Sequence, residues 1–297
     1  MGILFGRRKA SGDGVEHPAV AGMRLAGERD ARGFRMGVVL PAHAGEATFG
    51  VRLSDASALS AEGVARWRTE VHTEASVVAT CAAQRVAGSD STAVLWATVA
   101  ATGKAERKDT SELLTRLAVF APKVYEAADR AGMDAKPVTR DELAEYISAE
   151  LIGEDATAVF PPRAATISEG RALVAVGDQV TATFEIGDDR DEDEGTYGAV
   201  VALATQLGEE YDGELSVRLA DWARPAERTG VRDRRVGLVS LTAHDTDVVE
   251  DAMRVILVNL TAKQRLAVRR VWNRQAMAAG ASLGAGVLGW QRLEVAA

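Results

Sequence analysis

Residues 92–101 read TAVLWATVAA, which is an apolar run of strand length. Residues 109–112 read DTSE, and this pattern predicts the start of a helix. The Asp109 side chain can accept the exposed amide of Glu112 while the glutamate reaches back, which makes a capping box. Apolar residues then recur at helical spacing from Leu113 onward. A strand followed by an amphipathic helix indicates a protein built from both β-strands and α-helices.

The residues before this strand predict the other members of the same unit. Phe34–Leu40 and Glu46–Leu53 flank a turn that contains proline and glycine, which indicates a β-hairpin. Ser57 or Ser60 can cap a helix, and Ala75–Val86 has the composition of a strand. The predicted order of elements is therefore ββαββα.

The helices after residue 109 carry their own start and stop signals. Pro122 should kink or split the long helix, because proline lacks the amide hydrogen that a helix needs. Gly132 is placed to end that helix. The stretch Thr139-Arg140-Asp141-Glu142 then predicts the capped start of a short helix.

The second half of the chain repeats this order at an offset of about 140 residues. Its predicted elements are strands Arg171–Val176 and Gln179–Ile186, a helix Tyr197–Leu207, strands Glu214–Ala220 and Val236–Ala243, and a helix from Asp245. We therefore predict two similar ββαββα halves with mixed or antiparallel sheets. The predicted units are a flexible leader over 1–33, a first half over 34–155 and a second half over 156–297, with a break at Pro161-Pro162.

Composition argues against several kinds of chemistry. A single cysteine, Cys81, excludes an internal disulfide framework and a thiolate-rich metal site. The four histidines have no helical pairing, so we predict no metal site. Gly280–Gly284 matches the string of a nucleophile elbow, but no histidine follows it. Thr102-Gly103-Lys104 lacks the first glycine and the hydroxyl of a phosphate loop. We predict no catalytic or cofactor-binding residue.

Membrane segments are not predicted. The first residues read MGILFGRRK, where the cations follow the apolar residues, so the order is wrong for a signal peptide. This basic tip can still touch an anionic membrane. The uncharged run Gln275–Gln291 is too weakly apolar to insert and predicts a helix end followed by a buried strand.

Charge is distributed unevenly along the chain. The net charge is −8, yet residues 224–274 hold eleven basic and six acidic residues, which leaves −13 on the remainder. We predict one helical stretch, with Trp272 in it, that presents a partner-docking surface made of Lys263, Arg265, Arg269, Arg270 and Arg274. The acidic loop 188–194 is predicted to be a solvated loop, and its Asp189, Asp191 and Asp193 are a second docking candidate. Calcium binding by this loop stays open, although the EF-hand pattern fails.

Two stretches carry a family resemblance. The first includes the strand 93–99, the helix that ends near residue 133 and the segment 136–143. The second is the arginine-rich stretch 260–280, which ends in Gln275 and small apolar residues. In this order they resemble the soluble region of EccE, a membrane-complex subunit of actinobacterial type VII secretion, and related non-ATPase subunits of conjugation-like systems. The resemblance covers about residues 34–291.

The resemblance implies a subunit without enzymatic activity, and no catalytic residue carries over. The family begins with two transmembrane helices, and neither is present in this sequence. We therefore expect a cytoplasmic protein that is peripheral at the inner face of the cell membrane.

The expected function is a structural or assembly subunit of a secretion or transfer machine, acting by protein–protein docking. Its expected partners are other subunits of the complex, and self-association stays open. Two alternatives also stay open. One is a phage or virion structural protein. The other is a nucleic-acid-binding protein that uses the helix Lys263–Arg274, although the acidic remainder of the chain disfavours contact with a polyanion.

Overall fold

A computed structural model describes residues 6–9, 14–41, 45–153, 160–187, 195–225 and 234–286. These residues form eight α-helices and fifteen strands, and each paired strand is antiparallel to its neighbour. The α+β prediction is confirmed.

The strands, in chain order, are β1 (Gly6–Lys9), β2 (Val15–Glu16), β3 (Arg24–Arg29), β4 (Arg35–Leu40), β5 (Glu46–Leu53), β6 (Val77–Ala87), β7 (Asp90–Ala100), β8 (Ala135–Pro137), β9 (Arg163–Ala164), β10 (Thr166–Glu169), β11 (Val174–Val176), β12 (Gln179–Ile186), β13 (Leu215–Arg224), β14 (Arg234–Ala243) and β15 (Val268–Arg270).

The helices are α1 (Ala61–Val71), α2 (Lys104–Lys108), α3 (Thr110–Arg130), α4 (Arg140–Ile152), α5 (Gly195–Glu210), α6 (Thr246–Asn259), α7 (Ala262–Ala267) and α8 (Gln275–Ala281).

One large sheet organises the described residues. Its strand order is β1-β10-β11-β12-β14-β13-β6-β7-β5-β4-β3, with β8 added beside β5 and β15 added beside β12. Strands β2 and β9 form a separate small sheet. The central pairing joins β6 to β13, from Val86 opposite Val217 to Thr80 opposite Ala223.

The connectivity on the two sides of this central pairing is alike. On one side β5 pairs with β7 and β8, and on the other β12 pairs with β14 and β15. The hairpin β3–β4 precedes β5 as β10–β11 precedes β12. This likeness is consistent with two ββαββα halves, and the repeat itself stays a prediction.

Helices cover both faces of the sheet. Alternate residues of a strand point to opposite faces, so Leu95 packs with α1 and α3 while the adjacent Trp96 packs with α4. On the far side of the centre, α5 and α6 cover Leu219 and Val239. Helices α1, α3, α5 and α6 therefore share one face, and α4 and α8 lie on the other.

Part of the predicted flexible leader forms regular structure. Strand β3 pairs along its whole length with β4, and β1 pairs with β10. Between them, a 3-10 turn over Pro18–Val20 packs so closely on α8 that a Cβ at Gly280 would overlap the Ala19 Cβ. These short segments have no hydrophobic period of their own. Pairing with strands that are distant in the sequence stabilises them instead.

Pro122 does not split α3, which runs from Thr110 to Arg130. Proline removes the amide that would bond the carbonyl of Ala118. That carbonyl accepts the Ala31 amide at 3.0 Å instead, so the N-terminal segment satisfies the orphaned group. The prediction for Gly132 is confirmed: its φ is +84°, and the Met133 amide returns to the Ala128 carbonyl at 2.9 Å.

The predicted helix starts are confirmed with one change of partner. Thr139 and Glu142 form the capping box of α4. Asp109 caps α3, but its carboxylate accepts the Ser111 amide at 2.9 Å rather than that of Glu112. Asp245 caps α6 in the same way, through the amide of Asp247.

Candidate functional site

The predicted single basic helix is wrong. Helix α7 ends at Ala267, β15 follows over Val268–Arg270, and α8 begins only at Gln275. Thr261 and Gln264 form a capping box that starts α7 as a new helix. Val268 is then buried as β15 pairs with β12, and this tertiary pairing overrides the helical pattern of the sequence.

The five predicted docking cations consequently divide into two groups. Lys263, Arg265 and Arg269 are exposed. Arg270 is mostly buried and pairs with Glu250 of α6, with an N–O distance of 2.7 Å. Arg274 is also partly buried, at the position before α8. The first group lies at the surface, whereas Arg270 holds β15 against α6.

Trp272 is 51% exposed and lies close to two guanidinium groups. The Arg171 guanidinium lies 5.1 Å from the centre of the indole ring, and that of Arg270 lies 5.9 Å away. The Asn273 amide also donates to the Arg171 carbonyl at 2.8 Å. Cation–π contacts of this kind hold an indole in place while leaving part of it open to solvent.

Apolar side chains are exposed next to these cations along the chain. Val258 at the end of α6 is 69% exposed, and Leu266 of α7 is 78% exposed. We name the exposed residues of this segment the basic corner, and they are Val255, Val258, Lys263, Arg265, Leu266, Arg269 and Trp272.

Gln275 anchors α8 to the sheet. Its side chain is fully buried, accepts the Thr183 amide at 2.7 Å and donates to the Thr183 carbonyl at 3.3 Å. It also donates to the Val271 carbonyl. The amide side chain thus takes the place of a strand partner on the edge of β12, between the stretches that pair with β11 and β15.

A polar cleft of about 410 Å³ opens where the end of α4 meets β13, β14 and the β6–β7 turn. Its polar lining includes Arg85, Asp90, Glu150, Asp178, Glu214 and His244. The sequence does not predict this cleft, because its lining comes from segments that are distant along the chain.

Two residues of the lining, Glu150 and Arg85, lie next to a buried cation outside it, Arg218. Arg218 is 3% exposed and donates to the Glu150 backbone carbonyl at 2.6 Å, and its guanidinium lies 3.5 Å from the Glu150 carboxylate. Arg85 lies directly opposite Arg218 in the β6–β13 pairing, and its Nε is 3.2 Å from the same carboxylate. Burial lowers the pKa of Arg218, and Glu150 opposes this effect. The Glu150 carboxylate therefore pairs with two adjacent guanidinium groups.

The mouth of the cleft is acidic and accessible. The side chains of Asp90 and Asp178 are 65% and 84% exposed, and Glu214 is also exposed. His244 lies 3.4 Å from Asp178. Four carboxylates and one arginine line the cleft, and Arg218 adds a second guanidinium beside Glu150, so the acidic groups still exceed the arginines by two and the cleft suits a positively charged group.

A second buried ion pair spans the centre on the other face of the sheet. Arg68 of α1 is 3% exposed and lies 2.6 Å from the carboxylate of Asp221 on β13. Its Nε also donates to the Thr80 hydroxyl at 3.3 Å, and that hydroxyl lies 3.0 Å from the ring of His72. This pair joins the two sides of the sheet, as Arg218 and Glu150 do on the opposite face.

The remaining candidates from the sequence occupy structural positions. Ser282 of the Gly280–Gly284 string is 1% exposed at the end of α8 and donates to the Ala279 carbonyl. Burial raises the pKa of the Cys81 thiol well above its usual value. Asp189, Asp191 and Asp193 lie outside the described residues. Within the described residues, no group of three or more His, Cys, Asp or Glu side chains is placed to hold a metal ion.

None of the helices in the described part of the chain combines the length and the apolarity that a bilayer span requires. No protein-family model matches the sequence, and a search of curated proteins finds no significant match.

Proposed function

We propose that the protein is a non-enzymatic assembly subunit that docks other proteins through the basic corner. The observation that carries this proposal is the exposure of Val258, Leu266 and Trp272 beside exposed cations. Large apolar side chains are rarely left this open in groups unless a partner covers them. Tryptophan and arginine are also the residue types that contribute most at protein interfaces.

The chemistry of this surface favours an acidic protein as the partner. Lys263, Arg265 and Arg269 would steer an acidic surface toward the corner, and the apolar side chains would then be buried on contact. Residues 224–274 are the positively charged part of an acidic protein, so the corner differs in sign from the rest of the chain.

The class of assembly follows from the resemblance to EccE. The proposed location is the cytoplasmic face of a type VII secretion-like or conjugation-like machine, among the other subunits of that complex. Contact with the membrane would be peripheral, through the basic sequence of residues 1–9.

A pull-down from the native host tests the proposal. The parent chain and a variant carrying Lys263→Glu, Arg265→Glu and Leu266→Asp are compared with a control, Arg66→Glu, at an exposed position of α1. The parent and the control should retain subunits of a membrane machine at low salt, and the corner variant should lose them. Retention of the same partners by the corner variant would overturn the proposal.

A further inference from the structure

The acidic cleft and the basic corner lie at opposite ends of β12. Asp178 and Gln179 line the cleft where the strand begins. Phe184–Ile186, at the other end, pair with β15 of the basic corner. Seven residue steps at roughly 3.3 Å separate these ends, which gives about 23 Å. The two surfaces of one molecule are therefore too far apart to contact each other.

The two surfaces are complementary in charge. Asp90, Asp178 and Glu214 are exposed at the mouth of the cleft. The corner carries its exposed cations on α7 and β15. A cavity of about 410 Å³ lies within the range of about 300–1,000 Å³ that is typical of ligand pockets, so it has room for a long cationic side chain.

We infer that the cleft receives the basic corner of a second copy of this chain, so that molecules join head to tail. This inference rests on the proposed docking function and names the acidic partner. A second copy is favoured because one chain carries both complementary surfaces, and they lie at opposite ends of one strand. An interface between two different surfaces leaves a free surface of each kind at the ends, so it grows into a ring or a filament.

Sedimentation velocity over a range of protein concentrations tests the inference at low salt. The parent should form oligomers that dissociate as salt is raised, because the contact is between exposed charges. The same corner variant as in the pull-down, with Lys263→Glu, Arg265→Glu and Leu266→Asp, should stay monomeric. A cleft variant with Asp178→Asn and Glu214→Gln, which removes the acidic charge without reversing it, should also stay monomeric. The matched control, Glu62→Lys with Arg66→Glu on α1, should assemble as the parent does.

Mixing the two monomeric variants gives the sharpest readout. The corner variant keeps an intact cleft and the cleft variant keeps an intact corner, so an equal mixture should form a one-to-one dimer that grows no further. The inference is overturned if the parent remains monomeric at every concentration, if either variant assembles as the parent does, or if the mixture stays monomeric. Circular dichroism of each variant first establishes that the fold is retained.

This experiment separates the two proposals. If the parent stays monomeric while the corner variant still loses its partners in the pull-down, the head-to-tail contact fails and the docking function stands. If the corner variant also keeps those partners, the docking function fails with it.

Discussion

At the scale of single residues, we expect the buried charges beside the cleft to contribute strongly to stability. The Glu150 side chain is 8% exposed and is the carboxylate that Arg85 and Arg218 share. Arg85 also has Asp90 within 2.9 Å, whereas Arg218 is almost fully buried beside Glu150. The substitution Glu150→Gln removes the negative charge and leaves the shape of the side chain almost unchanged, so it isolates the electrostatic contribution.

We predict that Glu150→Gln lowers the free energy of unfolding by about 3–5 kcal/mol, because it leaves the buried Arg218 guanidinium without its countercharge. Urea unfolding measures the change. The control is Glu145→Gln, at an exposed position of α4, which should change stability by less than about 0.5 kcal/mol. Equal effects of the two substitutions would contradict the prediction.

His17 makes the stability of the protein depend on pH. Its ring is 1% exposed and its Nδ1 accepts the Ala19 amide, and burial, aided by Arg218, lowers its pKa to about 3. Between pH 6.5 and about 3 the unfolded chain binds a proton at this position and the folded chain does not. Stability therefore falls as the pH is lowered through this window, by up to about 1.4 kcal/mol per pH unit.

The substitution His17→Gln isolates this contribution from that of the carboxylates. We expect the difference in free energy of unfolding between parent and variant to shift in favour of the variant as the pH is lowered from about 7 to about 5. Urea unfolding at the two pH values measures it. A difference that does not change with pH would show that His17 is not the source.

At the scale of elements, Gln275 determines how α8 is held. Gln275→Leu keeps the approximate size of the side chain and leaves the Thr183 amide without its acceptor, at a cost of about 1–3 kcal/mol. Faster hydrogen exchange at the Thr183 amide, with lower stability, is the expected result. The control is Gln206→Leu on α5, where the exposed side chain donates to Glu210. Unchanged exchange at Thr183 would contradict the assigned role of Gln275.

The sequence predicts the long elements better than the short ones. Strands β5 and β12 match their predicted bounds residue for residue, because each is a regular apolar pattern with clear turns at its ends. Strand β3 and the α7–β15 segment depend on distant partners, so local pattern is a poor guide to them. The sequence predicts the corner cations, but the cleft depends on tertiary contacts that no local pattern reveals.

At the scale of the whole molecule, the charge distribution disfavours nucleic acid as the partner. The corner carries exposed cations, but the residues outside 224–274 have a net charge of −13. The electric field of that negative charge would repel a polyanion. We expect no retarded DNA or RNA complex at about 150 mM salt in a gel assay. A complex that weakens steeply with salt and is lost in an Arg265→Glu, Arg269→Glu variant would instead support nucleic-acid binding.

The central pairing also sets a constraint on how the chain is made. One edge of β6 pairs with β13. The ribosome finishes β6 at Ala87 but finishes β13 only at Arg224. At a synthesis rate of about 5–20 residues per second, this edge waits roughly 7–27 seconds for its partner. An open strand edge can pair with another chain during that time. Nascent chains on neighbouring ribosomes are therefore exposed to mispairing at β6, and the interval before β13 emerges is when a chaperone would protect them.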